Sequence, residues 1–280
     1  MPTALELALL DAIPTSLHFG VATETTPVTI VNAAEVGDDE RLGTFEEHPV
    51  AVHDARPLVD RLGLDSHGFS LARHETAVRD FYDPEEVMAV YYPEMEALVG
   101  QATGAAKVIV FDHTIRIDDG GLQKDRQVRA PVRNVHNDFT VASAEQRVRD
   151  LLPPAEAAAR LSRRFGSINV WRPITGPVET APLAICEYGS IRDENLIAAE
   201  RRYQDRIGGI YYLSYDPDQR WYYFPRMTRD EVVLLKCYDS RTDGTARWTA
   251  HGAFVDPESP ADAPPRESIE IRTLMFFDGQ

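Results

Sequence analysis

The hydrophobic pattern of this chain changes character at about residue 167. Beyond it, short segments rich in β-branched and aromatic residues alternate with turns that contain glycine, proline or aspartate. Segments of this length and composition predict β-strands. They lie at 167–173, 182–187, 208–215, 219–224, 231–239, 246–255 and 266–277. Earlier strands are predicted at 27–33, 107–118 and 129–139.

Strands at this spacing must bury their apolar faces by stacking two sheets or by closing into a barrel. We therefore expect a mainly β protein with flanking helices, and specifically a double-stranded β-helix, or jelly roll, over residues 105–280. The regular alternation of strand and helix that marks nucleotide-binding folds is missing. Residues 1–104 are expected to form a helical and loop region that packs on this core, so that 1–280 is a single domain.

Helical periodicity is confined to a few short segments. Ser143 with Gln146 has a capping-box pattern, so one helix should begin near residue 144. The stretch at 34–60 is polar and is expected to be irregular. Helices are predicted at 1–14, 84–101, 144–152, 154–165 and 191–202, the last of them acidic.

Composition narrows the classes of function. The chain has 280 residues, with 29 Lys and Arg against 45 Asp and Glu, a formal charge of −16. Phosphate backbones and anionic membrane surfaces need a basic patch, so neither nucleic acid nor a membrane is an expected partner. No apolar run reaches about 18 residues, the length of a membrane span. Two cysteines and no basic, apolar leader favour a cytoplasmic protein.

A histidine and an aspartate near the end of a predicted strand carry the first candidate chemistry. His136 and Asp138 are two residues apart, so in a strand both point to the same side and can reach one cation. By itself such a pair is more often structural. His251 is the only histidine that follows it in the chain. Two imidazoles and one carboxylate form the facial triad of non-haem Fe(II) oxygenases, which leaves coordination positions open.

Arg266 and Ser268 stand at the start of the last predicted strand, where period 2 puts them on one face. A guanidinium beside a hydroxyl suits a carboxylate. The ordered set of the triad followed by these two residues is the pattern of 2-oxoglutarate-dependent oxygenases. A surface ion pair between Arg266 and a neighbouring glutamate is the alternative.

Several segments resemble the hydroxylase/desaturase AsaB-type family, which includes CmcJ-like proteins and gibberellin desaturase-like Fe(II)/2-oxoglutarate oxygenases. The similar segments follow one another in order through residues 30–280. They are DSHGFSLARHETAVRDF (65–81), VIVFDHTIR (108–116), VHNDFT (135–140), NVWRP (169–173), PLAICE (182–187), RWYYFPRMTRDEVVLLKCYD (220–239), HGAFVDP (251–257) and PRESIEIR (265–272).

The resemblance implies a jelly-roll oxygenase of secondary metabolism that hydroxylates or desaturates a small molecule, with 2-oxoglutarate and dioxygen consumed to succinate and carbon dioxide. By resemblance, His136, Asp138 and His251 would hold Fe(II), and Arg266 and Ser268 would bind 2-oxoglutarate. Two alternatives stay open: a cupin-like dioxygenase or isomerase that does not use 2-oxoglutarate, and a small-molecule-binding jelly roll without catalysis. A homodimer is also left open.

Further candidates for the substrate pocket come from aromatic and polar residues on predicted strands and in one predicted lid or loop. In the strand 167–173, alternation places two candidates on one face and the third on the other. The aromatic residues and the acidic charge suggest a partly apolar or cationic substrate. The candidates are Asn169, Trp171, Arg172, Tyr238, His67 and Phe69.

Overall fold

Two β-sheets packed against each other form the core in the computed structural model, which describes residues 7, 9–31 and 39–279. The prediction of a mainly β jelly roll with flanking helices is confirmed. The strands are β1 Ala12–Gly20, β2 Val28–Ile30, β3 Glu40–Leu42, β4 Phe45–Asp54, β5 Phe69–Arg73, β6 Lys107–Ile117, β7 His136–Asn137, β8 Phe165–Pro173, β9 Leu183–Cys186, β10 Leu196–Arg202, β11 Ile207–Leu213, β12 Trp221–Tyr223, β13 Glu231–Asp239, β14 His251–Ala253 and β15 Glu267–Phe276.

The order of the strands brings distant parts of the chain together. Among the described residues, the larger sheet runs β1-β4-β12-β9-β14-β7-β11-β10-β2-β3, and the smaller sheet runs β5-β13-β8-β15-β6. In the larger sheet, β14 lies between β9 and β7, although all three are far apart in sequence. The first residue of β14, His251, lies directly opposite the first residue of β7, His136.

The central strands of the smaller sheet, β8 and β13, are buried on both faces. Along β13, Val233 and Leu235 point into the cluster between the two sheets, while Val232 and Leu234 point to the outer face. A strand covered on both sides has a continuous apolar sequence, as VVLL shows. Fully burying one such side chain contributes about 1.5–3 kcal/mol, so this sheet is a rigid support for whatever its inner face carries.

Helices cover the outside of the smaller sheet. Pro84–Glu86 and a π-helical turn, Val87–Tyr91, lead into the helix Tyr92–Thr103, which packs on β6 and β15. The other helices are Gly120–Arg126, Val141–Leu151 and Pro154–Leu161.

The helix predicted from residue 144 is confirmed, but it begins at Val141. Its cap is Thr140, whose hydroxyl accepts from the amide of Ser143 at 3.1 Å, while the Ser143 hydroxyl accepts from the Thr140 amide. A serine can take the part usually played by glutamate or glutamine in a capping box. Ser143 therefore belongs to a capping box, as the sequence indicated, but as its third helical residue and not as the cap.

The N-terminal segments differ from the predicted helix and irregular stretch. Residues 1–6 and 8 lie outside the described part of the chain, but Ala12–Gly20 is a strand and pairs along its length with Phe45–Asp54. Leu17 and Phe19 face the core, while His18 between them is partly exposed on the other face. The partner strand exposes charged residues on its other face, and these obscured the alternation in the sequence.

Two other local predictions were wrong. The acidic segment 191–202 is a short 3-10 turn, Asp193–Asn195, followed by β10, because the segment pairs with β11 in the sheet. Of the predicted lid or loop, His67 and Gly68 do lie in a turn, but Phe69–Arg73 is β5, an edge strand paired with β13. In both places a neighbouring strand decided the conformation over the local preference of the sequence.

Candidate active site

Two histidines face each other across neighbouring strands of the larger sheet. His136 on β7 and His251 on β14 are direct register partners, and their ring centroids are 4.8 Å apart. Both side chains are buried, with relative exposures of 8 % and 2 %. Antiparallel pairing thus brings together two imidazoles that sequence separation alone keeps apart.

Each imidazole is oriented by a backbone carbonyl two residues earlier. Nδ1 of His136 lies 2.8 Å from the carbonyl oxygen of Asn134, and Nδ1 of His251 lies 2.9 Å from that of Thr249. A carbonyl oxygen only accepts hydrogen bonds, so Nδ1 carries the proton in each ring. Nε2 is then unprotonated, and its lone pair can bind a metal ion. Burial lowers the pKa of His251 and favours the neutral ring that metals require.

Asp138 completes the group, immediately after β7. Its Oδ2 accepts from Nδ2 of Asn169 at 2.7 Å and from Nε of Arg272 at 3.0 Å, while Oδ1 lies 3.5 Å from Nε2 of His136. Burial opposes ionisation, but the Arg272 charge and the His136 contact outweigh it and hold the pKa of Asp138 well below its usual range. The carboxylate is therefore ionised and fixed by one oxygen, with the other facing the imidazoles.

These three residues fit an Fe(II) ion. One ligand atom from each lies within 4.8 Å of the others, the only such group of histidine, cysteine and acidic side chains found in the described ranges. Two Nε2 atoms and one carboxylate oxygen are the donor set of a facial triad. The sequence prediction that brought His136, Asp138 and His251 together agrees with this geometry.

Arg266 and Ser268 line the same small cavity as both histidines. Arg266 is 3 % exposed and Ser268 is 1 % exposed. Nη1 of Arg266 donates to the backbone oxygen of Ala181, but its buried Nε has no hydrogen-bond partner among the described residues. Burial lowers the pKa of Arg266 to about 9. A buried guanidinium with an unmatched donor suits a carboxylate guest.

Polar residues continue along β15 beyond Ser268. The Glu270 carboxylate lies 3.9 Å from Nε2 of His251. The same carboxylate accepts a hydrogen bond from Nη2 of Arg272 at 2.7 Å. Farther along the same face, Leu274 and Phe276 join the apolar core. One strand face therefore carries the polar site at one end of the sandwich and apolar packing at the other.

Several residues of the site were missed by the sequence analysis. Glu270 and Arg272 continue the two-residue period from Ser268, so extending that period would have found them. Arg116 on β6 also lines the small cavity and pairs in register with Ser268. Burial lowers the pKa of Arg116 to about 10. The sequence gives no indication that Arg116 lies next to β15, because this depends on the pairing of β6 with β15.

A larger cavity of about 420 Å³ lies beside Asp138 and Arg272. Its walls come from β6, from the helix Val141–Leu151 and from β11 with the segment before it. The volume is in the range of small-molecule sites. Asp138, one of the three candidate metal ligands, is part of its lining.

Of the predicted pocket residues, two from β8 lie at the site. Trp171 lines the small cavity, with the Arg266 guanidinium 5.5 Å from the centre of its ring. Asn169 instead supports Asp138 by the hydrogen bond described above. Arg172 is on the opposite face, as the alternation predicted, and donates to Tyr91 and to His74, so a pocket role does not fit its position.

The remaining three candidates line neither cavity. Tyr238 packs on Phe165 with ring centroids 5.3 Å apart, and Phe69 packs in the core between the sheets. His67 is hydrogen-bonded through Nδ1 to the Ser66 hydroxyl at 2.8 Å. Aromatic and histidine content alone could not separate core from pocket, because both environments select the same residue types.

The fold and this donor set define the class of non-haem Fe(II)/2-oxoglutarate-dependent oxygenases. Comparison with known proteins agrees. Residues 17–276 match the family described as an oxidoreductase/YMDC permease-like domain. The hydroxylase/desaturase efuI of Hormonema carpetanum is 34 % identical over 260 residues, which cover 84 % of this chain and 86 % of the relative. The Fe(II)/2-oxoglutarate-dependent dioxygenase nvfI of Aspergillus novofumigatus is 35 % identical over 242 residues, 82 % of this chain and 83 % of the relative.

A solved structure is similar over almost the whole length. The iron and alpha-ketoglutarate-dependent endoperoxidase NvfI superposes with a TM-score of 0.84 at 30 % identity, covering 95 % of this chain and 98 % of that chain. The chain belongs to this family of hydroxylase/desaturase-type Fe(II)/2-oxoglutarate dioxygenases. The resemblance seen in the sequence, and the cofactors Fe(II), 2-oxoglutarate and dioxygen expected from it, are thereby confirmed. Among the described residues, no helix has the length and hydrophobicity of a membrane span.

Proposed function

We propose that His136, Asp138 and His251 hold Fe(II), that Arg266 and Ser268 bind the far carboxylate of 2-oxoglutarate, and that the enzyme hydroxylates or desaturates a small secondary metabolite. The observation that carries this proposal is the single cavity lined by both imidazoles, Arg266 and Ser268. Two metal-binding imidazoles and a buried guanidinium with an unmatched Nε donor in the lining of one cavity suit a keto-diacid that chelates the metal and binds the guanidinium through its far carboxylate.

Fe(II) with 2-oxoglutarate and dioxygen supplies the oxidising power to cleave a substrate C–H bond. The protein supplies position. Asn169 and Arg272 hold Asp138, Arg266 neutralises the distal carboxylate, and the Trp171 ring covers the Arg266 side of the cavity. Burial of these groups keeps water away from the reacting centre and strengthens their electrostatic contacts. No protein general base is required for C–H cleavage of this kind.

The direct test is turnover of 2-oxoglutarate. Anaerobically purified protein is loaded with Fe(II), exposed to oxygen, and assayed for oxygen uptake and succinate with and without 2-oxoglutarate. We expect succinate only when 2-oxoglutarate and iron are both present. With a candidate metabolite, a product heavier by one oxygen indicates hydroxylation, and one lighter by two hydrogens indicates desaturation. Oxygen uptake that ignores 2-oxoglutarate would reject the proposal.

The alternative of a cupin-like enzyme draws on Glu270, whose carboxylate is 3.9 Å from Nε2 of His251 and could serve as an extra ligand. The ion pair with Arg272 at 2.7 Å competes for that carboxylate. Metal-dependent oxygen uptake independent of 2-oxoglutarate would favour this alternative. A non-catalytic carrier would hold no stoichiometric Fe(II), which metal analysis detects.

We also propose that the chain forms a single oxygenase domain, in which residues 1–104 pack on the jelly-roll core of residues 105–280 and also add strands to its sheets. Supporting this, strands from both parts share each sheet, as β4 with β12 and β5 with β13. The cytoplasm stays our proposed location. Cys186 and Cys237 are both free and buried, which agrees with a reducing compartment. We propose a small molecule, and not nucleic acid or a membrane, as the binding partner.

A further inference from the structure

The larger cavity has the opposite charge to the protein as a whole. The chain carries a formal charge of −16, yet six arginines and only three aspartates line this cavity. One of the aspartates, Asp138, belongs to the metal-binding group. The arginines are Arg116, Arg129, Arg147, Arg201, Arg206 and Arg272.

Most of these arginines already have partners. Arg272 pairs with Asp138 and Glu270. Asp39 pairs with Arg129 at 3.0 Å and also lies 3.6 Å from Arg201. Arg116 donates to the backbone oxygen of Ala130 at 2.8 Å. Their charges support the fold of the cavity wall, so they do not by themselves indicate a ligand.

Arg147 and Arg206 are different. No carboxylate of the described residues forms an ion pair with either, and each lies over an aromatic ring: Arg147 is 5.1 Å from the centre of Phe111, and Arg206 is 3.7 Å from that of Tyr203. Burial and the nearby Arg206 charge lower the pKa of Arg147. Both guanidiniums line the same cavity.

Two carboxylates near Arg147, those of Asp150 and Asp112, act on its charge but form no ion pair with it, and both make contacts elsewhere. The carboxylate of Asp150 accepts from the side-chain amide of Gln146 at 2.7 Å, and that of Asp112 is 3.3 Å from Arg272. Two guanidiniums that line one cavity without an ion-pair partner favour an anion bound in that cavity. The guanidinium group of arginine can donate two parallel hydrogen bonds to the two oxygens of a carboxylate, so it favours a carboxylate over a neutral ligand group.

We propose that the substrate is a small molecule with an apolar body and an anionic oxygen group such as a carboxylate, and that Arg147 and Arg206 bind this group. The inference rests on the proposed function, which puts iron beside Asp138 in the wall of the same cavity. Phe111, Phe139 and Ile210 line the space with apolar surface for the body. This reverses the expectation of a cationic substrate drawn from overall charge, because binding follows the local field of the cleft.

The test uses two probes of nearly the same size and shape, anionic 4-phenylbutyrate and neutral 4-phenylbutyramide. Binding is measured by calorimetry under anaerobic conditions, with Fe(II) and saturating 2-oxoglutarate. We expect the acid to bind about tenfold or more tightly than the amide, since a charge-assisted hydrogen bond contributes about 1.5–3 kcal/mol. Arg147→Gln and Arg206→Gln should each remove about tenfold of the acid's affinity and leave that of the amide unchanged.

The matched control is Arg149→Gln, on the same helix but paired with Glu145 and outside this cavity. It should change neither affinity. Arg147→Lys keeps the charge but not the fork, so it should retain part of the preference and serves as a second variant if the glutamine variant fails to fold. Equal binding of acid and amide, no binding of either, or acid binding unaffected by both glutamine variants would each overturn the inference.

The same preparation is assayed for succinate, which separates the two proposals. Succinate formation without a preference for the acid rejects the anionic substrate and leaves the oxygenase proposal standing. A preference for the acid without any turnover of 2-oxoglutarate rejects the proposed reaction and leaves the anion site standing. Acid that displaced 2-oxoglutarate from Arg266 would bind equally well to the Arg147 and Arg206 variants, and so would count against the inference.

Discussion

Arg272 donates from Nε to Oδ2 of Asp138 at 3.0 Å, across 134 positions of the chain. The same guanidinium holds Glu270 through Nη2 and the Thr114 hydroxyl through Nη1. It therefore connects β15 to β6 and to the loop after β7, and it leaves Oδ1 of Asp138 directed at the imidazoles. The orientation of the candidate metal ligand depends on this contact.

Replacing Arg272 with glutamine should weaken Fe(II) binding about 10- to 100-fold, the usual cost of losing a group that orients a metal ligand. The check is an anaerobic Fe(II) titration of the purified variant. Arg149→Gln is the surface control and should bind as the wild type does. Arg272→Lys should fall between the two, since it keeps the charge but loses the fork. Unchanged affinity in the glutamine variant would show that Asp138 does not depend on Arg272.

His251→Ala should abolish stoichiometric Fe(II) binding, because it removes one of three protein ligands. The measurement is iron content after anaerobic loading and desalting. His18→Ala is the matched control: its imidazole is partly exposed, contacts Glu47 and belongs to the same sheet. The control should retain full iron. If His251→Ala also retained it, the proposed ligand set would be incorrect.

Arg266→Gln should raise the KM for 2-oxoglutarate about 10- to 100-fold while leaving Fe(II) affinity close to wild type. Losing a charged hydrogen-bond donor weakens binding by about 1.5–3 kcal/mol, and about 1.4 kcal/mol corresponds to a tenfold change in a dissociation constant. Ser268→Ala should have a smaller effect, several-fold, because it removes a neutral donor. Succinate formation at increasing 2-oxoglutarate measures both variants. A KM that did not move in Arg266→Gln would place the distal carboxylate elsewhere.

An acid-sensitive contribution to stability should come from Glu231. Arg56 binds its two carboxylate oxygens at 2.8 and 2.9 Å, and this hydrogen bonding lowers the pKa of Glu231 below its usual value of 4.5. The unfolded chain therefore takes up the proton first as the pH falls. The stabilisation is fully present above about pH 4.5 and is lost as the pH falls through the lower folded-state value.

We therefore expect Glu231→Gln to reduce the free energy of unfolding by about 1–3 kcal/mol at neutral pH. The difference from wild type should shrink below pH 4.5. Denaturant unfolding at several pH values measures it. Glu145→Gln, which breaks an exposed pair with Arg149, is the control and should change stability by less than about 1 kcal/mol. A difference that stayed constant with pH would mean that this ion pair is not its source.

Local spacing was a good guide where a strand carried the chemistry. Period 2 correctly paired His136 with Asp138 and Arg266 with Ser268, and it separated Arg172 from Asn169 and Trp171. It failed where the sequence of a strand did not alternate, as in β4, and where pairing overrode local preference, as in β10. His67, Phe69 and Tyr238 show the same limit for pockets, since residue type does not reveal which neighbour a side chain meets.

The amino-acid sequence by itself determined the β-rich class, the acidic surface and the residue types of an iron and 2-oxoglutarate site, because strand periodicity and short motifs are local properties. Only the tertiary structure decided that β14 lies beside β7, that Arg272 and Asn169 orient Asp138, and that Arg147 and Arg206 line one cavity. These relations depend on which strands pair and in what register. Strand order is fixed by burial summed over the whole chain, so no single segment encodes it.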